Sequence, residues 1–164
     1  MNLWNPQSGK SERASGGFYL NTLTRLFWSR RKGRGNVRQW KSIVIFDANM
    51  ILRYLLNDHA EMAKAAQNYL DEAVVTVTIE VIAEVVYVLK GVYRMDRSEI
   101  ANVIGEFLQM VECRDSEIVL LALETYSHEN LDFVDCVLYA YHRLDNLKVA
   151  TFDKKLLRLL NQNT

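Results

Sequence analysis

The chain has 164 residues, enough for one compact domain with a sizeable hydrophobic core. Its formal net charge of zero hides a division: residues 1–41 carry nine basic and one acidic residue, a net +8, whereas residues 42–164 carry 11 basic and 19 acidic residues, a net −8. The two cysteines, Cys113 and Cys136, are too few for a disulfide framework or a zinc site and fit a reduced cytoplasm.

The basic part, residues 1–41, also holds the single proline and five of the seven glycines, which predicts a boundary near Trp40. Few of its apolar positions are periodic, so we predict a flexible extension ahead of one domain at 42–164. FYLNTLTRLFW (18–28) could form a short amphipathic helix, too short and too polar to cross a membrane. RRKGRGNVR (30–38) suits nucleic acid or an anionic membrane surface, although a solvated tail or a misassigned start is the simpler interpretation.

Hydrophobic patterning in the acidic part alternates between strand and helix periods. The runs SIVIF (42–46), VVTVT (74–78) and KVATF (148–152) are short, apolar and β-branched, which predicts buried strands. In the helix that begins near Ser116, we expect Val119, Leu120 and Leu123 to face the core. Strands alternating with helices predict an α/β fold with a parallel sheet covered on both faces. The predicted helices lie at 49–56, 60–71, 79–93, 96 to about 111, from 116, from 132 and at 153–160.

Carboxylates directly follow two of the predicted strands. Asp47 follows SIVIF, and Asp153 follows KVATF. Ligands of parallel α/β sheets bind outside the carboxyl ends of the strands, so both side chains would face the same crevice. Taken singly, each of these acids could equally be a helix N-cap.

Two further acids have apolar sequence neighbours. Glu84 interrupts VTIEVIAEVVYVL, and Asp135 lies in LDFVDCVLYAY with no Lys or Arg within four residues. We therefore predict that both are at least half buried, which requires a polar partner or a metal ion. Glu84 could instead pair with Lys90 or lie on the surface, but four such acids are hard to explain as unrelated caps.

Together the four carboxylates predict a site for a hard cation, Mg²⁺ or Mn²⁺. Their mutual repulsion would raise some of their pKa values until a cation binds. Such a cation activates water and stabilises charge on a phosphodiester, which is the chemistry of phosphodiester hydrolysis. Asn49 and Thr151, each two residues from one of the acids, could orient them through hydrogen bonds.

In four ordered segments the chain resembles the PIN domain family, and most closely the VapC-type ribonuclease toxins of bacterial toxin–antitoxin pairs. The segments are IVIFDANMILRYLLND, VTIEVIAEVVYVLKGVY, LDFVDCVLYAY and VATFDKKLLRL. The resemblance implies a three-layer α/β/α sandwich, a homodimer, a cognate antitoxin protein and a Mg²⁺- or Mn²⁺-dependent endoribonuclease site. The catalytic acids would be Asp47, Glu84, Asp135 and Asp153, of which the three aspartates would hold the metal.

Two features depart from the pattern of that family. Ala48 stands where many members have Thr, which removes one hydroxyl beside the metal site. The basic extension is the larger departure, because such toxins usually begin just before the first strand. Asp132 is a further acid near the site. It could be a helix cap, a water-mediated ligand or neither, and the helix cap is our first interpretation.

The acidic domain does not attract RNA by its bulk charge, so RNA would need local basic residues. The candidates are Arg53, Arg143, Lys154 and Lys155. We predict a metal-dependent endoribonuclease that acts as the toxin of a toxin–antitoxin module. One rival function is a catalytically inactive PIN-like module for RNA binding or assembly. Another is a Mg²⁺-dependent phosphatase with Asp47 as nucleophile, disfavoured because Asn49 stands where a second Asp is usual.

Overall fold

A computed structural model describes residues 41–162 of the chain. The predicted basic extension lies outside the described residues except for Lys41, and so does the segment at 18–28. Among the described residues, no helix is long and apolar enough to cross a membrane. In chain order the elements are β1 (Ile43–Ile45), α1 (Ala48–Leu56), α2 (Ala60–Glu72), β2 (Val74–Val77), α3 (Ile79–Gly91), α4 (Arg97–Leu108), β3 (Glu112–Cys113), α5 (Ser116–His128), α6 (Phe133–Asp145) and α7 (Lys154–Gln162).

The three strands of the described part form one parallel sheet in the order β1–β2–β3. Ile43 of β1 lies opposite Val74 of β2, and Val77 of β2 lies opposite Cys113 of β3. Helices connect each parallel pair, as parallel pairing requires, and the predicted α/β fold with a parallel sheet is confirmed. The sequence did not predict β3, because its two residues carry no alternating apolar run and only pairing with β2 defines it.

One hydrophobic core joins the sheet to the helices. Val75 and Val77 point into it from β2, and the fully buried Ile51, Leu89 and Phe107 enter it from α1, α3 and α4. Burying a side chain of this size contributes about 1.5–3 kcal/mol. Helices of nine to thirteen residues are marginal alone in water, so this packing is what keeps them folded.

The prediction of a strand at KVATF (148–152) is wrong, since the structure has neither strand nor helix between α6 and α7. No backbone hydrogen bond within residues 41–162 joins this segment to the sheet. Val149 packs against the core, whereas Phe152 is fully exposed. A β-branched pattern forms a strand only where a neighbouring strand satisfies its backbone groups. In the described part of the chain, the outer edge of β1 stays unpaired, and Ile43 and Ile45 are exposed, so the prediction that this strand is buried is wrong.

The predicted core face of α5 is wrong at one position. Leu120 is 47% exposed. Successive residues of a helix are rotated by about 100°, so Leu120 lies beside the buried stripe and not within it. Adjacent apolar residues in a helix cannot be separated by pattern alone. The buried side chains of α5 are Ile118, Val119, Ala122, Leu123, Thr125 and Tyr126.

Candidate active site

Asp47 lies just beyond the end of β1 and is the N-cap of α1. Its Oδ1 accepts a hydrogen bond from the backbone N–H of Met50 at 2.8 Å. Phe46 and Ala48 on either side are buried, which anchors the backbone at this point. The residue itself is exposed, so Asp47 caps its helix while its carboxylate stays accessible at the carboxyl end of the strand.

Asp153 has the corresponding place ahead of α7. Its Oδ1 accepts hydrogen bonds from the backbone N–H groups of Lys155 at 2.7 Å and Leu156 at 2.9 Å. These hydrogen bonds, from Leu156 and then Lys155, hold the pKa of Asp153 below its ordinary value because they favour the ionised form. The Thr151 Oγ1 accepts the backbone N–H of Asp153 at 3.0 Å, so Thr151 orients the backbone of this acid.

Asp135 lies in the first turn of α6 and is partly buried, as predicted. Burial raises its pKa above the ordinary value, and the negative charges of Asp153 and Asp132 raise it further. Asp132 occupies the N-cap position of α6, but its side chain makes no capping hydrogen bond. The negative charges of Asp132 and Asp153 thus both act on Asp135, close to where the packed helices α6 and α7 begin. We call these three residues the acid group.

One arginine that sequence reasoning missed holds the loop in front of α6. The Arg97 Nη1 lies within hydrogen-bonding distance of three carbonyl oxygens, those of Leu131 at 2.6 Å, Glu129 at 3.1 Å and Tyr126 at 3.3 Å. Its guanidinium carbon also lies 4.3 Å from the centre of the Tyr126 ring, a cation–π contact. These contacts tie α4 to the residues just ahead of Asp132. The three partners lie 29 to 34 residues further along the chain, so no local signal could have revealed them.

The model of the PIN domain family matches residues 44–160, which is most of the chain. This chain belongs to the PIN domain family. The match runs from β1 into α7 and includes all four acids predicted for the site. No curated protein and no solved structure matches the chain significantly. PIN domains are generally nucleases, and the nucleases among them typically use divalent metal ions.

Glu84 is exposed in this PIN domain, although its apolar neighbours predicted a side chain at least half buried. Its helix, α3, buries Ile82, Val85, Val86 and Leu89. Because a helix turns about 100° per residue, neighbours in sequence lie on other faces and leave Glu84 uncovered. The helix α3 packs against both α1, which Asp47 caps, and α6, which carries Asp135. Glu84 thus lies on the helix that connects the two halves of the predicted site.

The carboxylates of the PIN domain have the donor chemistry of a hard-cation site without a closed ligand shell. Oxygen donors are those that Mg²⁺ and Mn²⁺ prefer. The pKa of Asp135 is raised by burial first and then by the charges of Asp153 and Asp132, and a bound cation would offset both effects. Within residues 41–162, however, no three His, Cys, Asp or Glu side chains are gathered closely enough to hold a metal ion.

The basic residues predicted for RNA binding have different surroundings. Arg53 forms an ion pair with Asp58 at 2.6 Å, and the Tyr93 hydroxyl donates to the same carboxylate at 3.1 Å. The hydrogen bond from Arg53 holds the pKa of Asp58 below its ordinary value. RNA would therefore compete with Asp58 for Arg53. Lys154, Lys155 and Arg143 are exposed, as is Asn49 in the first turn of α1.

Proposed function

We propose that this protein is a divalent-metal-dependent endoribonuclease that acts as the toxin of a toxin–antitoxin module. The observation that carries the proposal is the acid group: in a domain family of nucleases, Asp135 is partly buried at the start of α6, and the negative charges of Asp153 and Asp132 add to the effect of burial in raising its pKa. Carboxylates that repel one another at rest are stabilised by a cation, and that difference in free energy favours metal binding.

The four predicted acids would divide the work of the site. Asp47, Asp135 and Asp153 would hold the metal, and Glu84 would complete the site directly or through a water molecule. A bound Mg²⁺ or Mn²⁺ would polarise the phosphodiester and lower the pKa of a water molecule. Asn49 and Thr151 would orient the first and last of these acids. The RNA contacts proposed for the surrounding surface are Arg53, Arg143, Lys154 and Lys155.

The exposure of Asp47, Glu84 and Asp153 supports substrate access, because an RNA strand must reach the same oxygens that bind the cation. The hydrogen bonds that α7 donates to Asp153 keep this carboxylate ionised and ready for a cation near neutral pH. The α3 contacts with α1 and α6 favour a site that draws on all four acids. The antitoxin partner, the homodimer and the cytoplasmic location rest on the resemblance to VapC-type toxins.

The deciding experiment is cleavage of a mixed cellular RNA pool by purified full-length protein in Mg²⁺ or Mn²⁺. Asp135→Asn keeps the shape of the side chain and removes its charge, so we expect discrete cuts to be lost with this variant and with EDTA. Asp145→Asn is the matched control, since Asp145 is an exposed carboxylate at the far end of the same helix. Cutting that persists in Asp135→Asn would contradict the proposed site.

The inactive RNA-binding or assembly module remains the second candidate function. The observation that favours it is the absence, within residues 41–162, of three metal-ligating side chains gathered around one point. This alternative predicts RNA binding that is insensitive to divalent metal, together with no cutting by wild type or by Asp135→Asn. Metal-dependent cutting by the wild type would eliminate it.

A further inference from the structure

A cleft of about 210 Å³ lies next to the acid group. Its walls are the loop at 129–131, which precedes α6, and the side chains of Lys155, Arg158 and Gln162 on α7. The volume corresponds to roughly seven water molecules at ~30 Å³ each. It is smaller than the ~300–1,000 Å³ of pockets for drug-sized ligands, so it suits one phosphate with part of a nucleotide.

The charge of the cleft favours an anion. Lys155 and Arg158 are three residues apart on α7 and therefore lie on the same face of the helix. The Lys155 Nζ donates to the carbonyl oxygen of Asn130 at 3.3 Å, which holds its ammonium group against the opposite wall. Within residues 41–162, Arg158 forms no ion pair or hydrogen bond, so its guanidinium is free for a ligand. Two cations face a single lining carboxylate, Glu129.

The rest of the lining suits a nucleotide better than an inorganic ion. Leu131 and Leu159 both line the cleft and are both buried, so they form an apolar floor beneath it. A ribose or a nucleobase can pack on such a surface while its phosphate meets the cations at the rim. An arginine guanidinium additionally offers paired N–H donors to phosphate and a flat face to a base.

Both walls of the cleft are adjacent in sequence to residues of the acid group. Leu131 immediately precedes Asp132 in the chain. On the other wall, the backbone N–H of Lys155 is bound by the Asp153 Oδ1 at 2.7 Å. Lys155 and Arg158 thus follow Asp153 within about one and a half helical turns along α7, close enough to meet a phosphate next to one at the acid group.

We propose that this cleft binds the RNA phosphate that neighbours the scissile one, with Arg158 as its main ligand and Lys155 as a second positive charge. The inference rests on the proposed ribonuclease function and adds to it a second subsite and a residue, Arg158, outside the acid group. The substrate is then a single strand, gripped at two successive phosphates of its backbone.

The test measures binding of a fluorescein-labelled single-stranded RNA to the full-length protein. Binding is monitored by fluorescence anisotropy in EDTA at several KCl concentrations. Each phosphate contact adds about −0.7 to the slope of log K against log salt for single strands. Because the cleft binds one phosphate, the Lys155→Ala/Arg158→Ala double variant should bind about tenfold more weakly and lose about 0.7 from that slope. Arg158→Lys keeps the charge but not the paired donors, so its affinity for the RNA should lie between those of the wild type and the double variant.

Lys64→Ala is the matched control, because it removes one exposed positive charge from α2, outside the cleft lining. Unchanged affinity and slope in the double variant would overturn the inference, as would an equal loss in Lys64→Ala or no RNA binding by the wild type. Hydrolysis of bis(4-nitrophenyl) phosphate by the wild type in Mn²⁺ tests the acid group separately. Absent hydrolysis with cleft-dependent RNA binding would overturn the nuclease function and support the subsite.

Discussion

Asp135 is the residue whose surroundings depart most from water within the acid group. It lies half a turn into α6, where it is partly buried and where the negative charges of Asp153 and Asp132 act on it. Asp153, in contrast, is exposed and receives two backbone hydrogen bonds. The two aspartates therefore have pKa values that depart in opposite directions from the ordinary value: that of Asp135 is raised and that of Asp153 is lowered.

The raised pKa of Asp135 has a consequence for stability. The folded state binds this proton more tightly than the unfolded state, so stability falls as pH rises from the ordinary aspartate pKa through the raised one. Asp135→Asn removes this titration. We expect wild type to lose more free energy of unfolding than the variant between about pH 4 and pH 7, by about 1 kcal/mol or less because the carboxyl is partly solvated.

Urea unfolding at both pH values measures this difference. Asp153 titrates with the opposite sign in both proteins, so its contribution largely cancels in the comparison. Asp145→Asn, at the exposed end of α6, should follow the wild type. A variant that loses as much stability as the wild type over this interval would show that Asp135 is fully solvated.

At the scale of elements, helix ends decide where the functional side chains point. Asp47 and Asp153 both receive backbone N–H groups from the first turn of the helix that follows them. At helix C-termini, α1 ends at Asn57 and α6 ends at Asn146. Both asparagines have the left-handed backbone conformation, with φ of 49° and 54°. Asparagine tolerates this conformation better than most residues, so both ends are locally consistent with their sequence.

Arg94, in the turn between α3 and α4, is the described residue with positive φ that lacks such tolerance, at φ 56°. Glycine has no Cβ to strain there, so Arg94→Gly should raise the free energy of unfolding by up to about 1 kcal/mol. Asn57→Gly is the matched control and should change it by only a few tenths. Denaturant midpoints of the two variants compare their stabilities. A larger increase in stability for Asn57→Gly than for Arg94→Gly would contradict the prediction.

The segment 148–152 should behave as an unpaired connection and not as a strand. Its amides form no hydrogen bonds with the sheet, so we expect them to exchange with deuterium far faster than those of β2. Hydrogen exchange followed by mass spectrometry resolves peptides of this length. Protection equal to that of β2 would contradict this prediction and would mean that the amides of KVATF are hydrogen-bonded in solution.

At the scale of the whole molecule, charge is strongly segregated. Residues 42–164 carry a net −8, and part of that charge is concentrated in the acid group. A fold of this kind is stabilised by any cation that binds the folded state alone. It also repels RNA except where local cations such as Lys155 and Arg158 offset the field.

Divalent metal should therefore stabilise the protein beyond the effect of ionic strength. At a Mg²⁺ or Mn²⁺ concentration of 100 times Kd, the gain is about 2.7 kcal/mol, or several degrees in Tm. Asp135→Asn should lose most of this gain. KCl at matched ionic strength controls for screening. Equal shifts in wild type and Asp135→Asn would place the metal elsewhere.

The sequence alone determined what acts within about four residues along the chain. The strands β1 and β2, most helix positions and the caps at Asp47 and Asp153 follow from apolar period and from side chains that bond nearby backbone groups. The order of the four acids was also enough to suggest the family, which the match over residues 44–160 confirmed.

Only the tertiary structure decided which groups meet across the chain. It left KVATF without a strand partner, exposed Glu84, and joined Arg97 to carbonyl oxygens about thirty residues away. It also brought the negative charges of Asp132 and Asp153 to act on the partly buried Asp135. Pairing, burial and charge interactions depend on distances in space, and those distances exist only after the helices have packed on a common core.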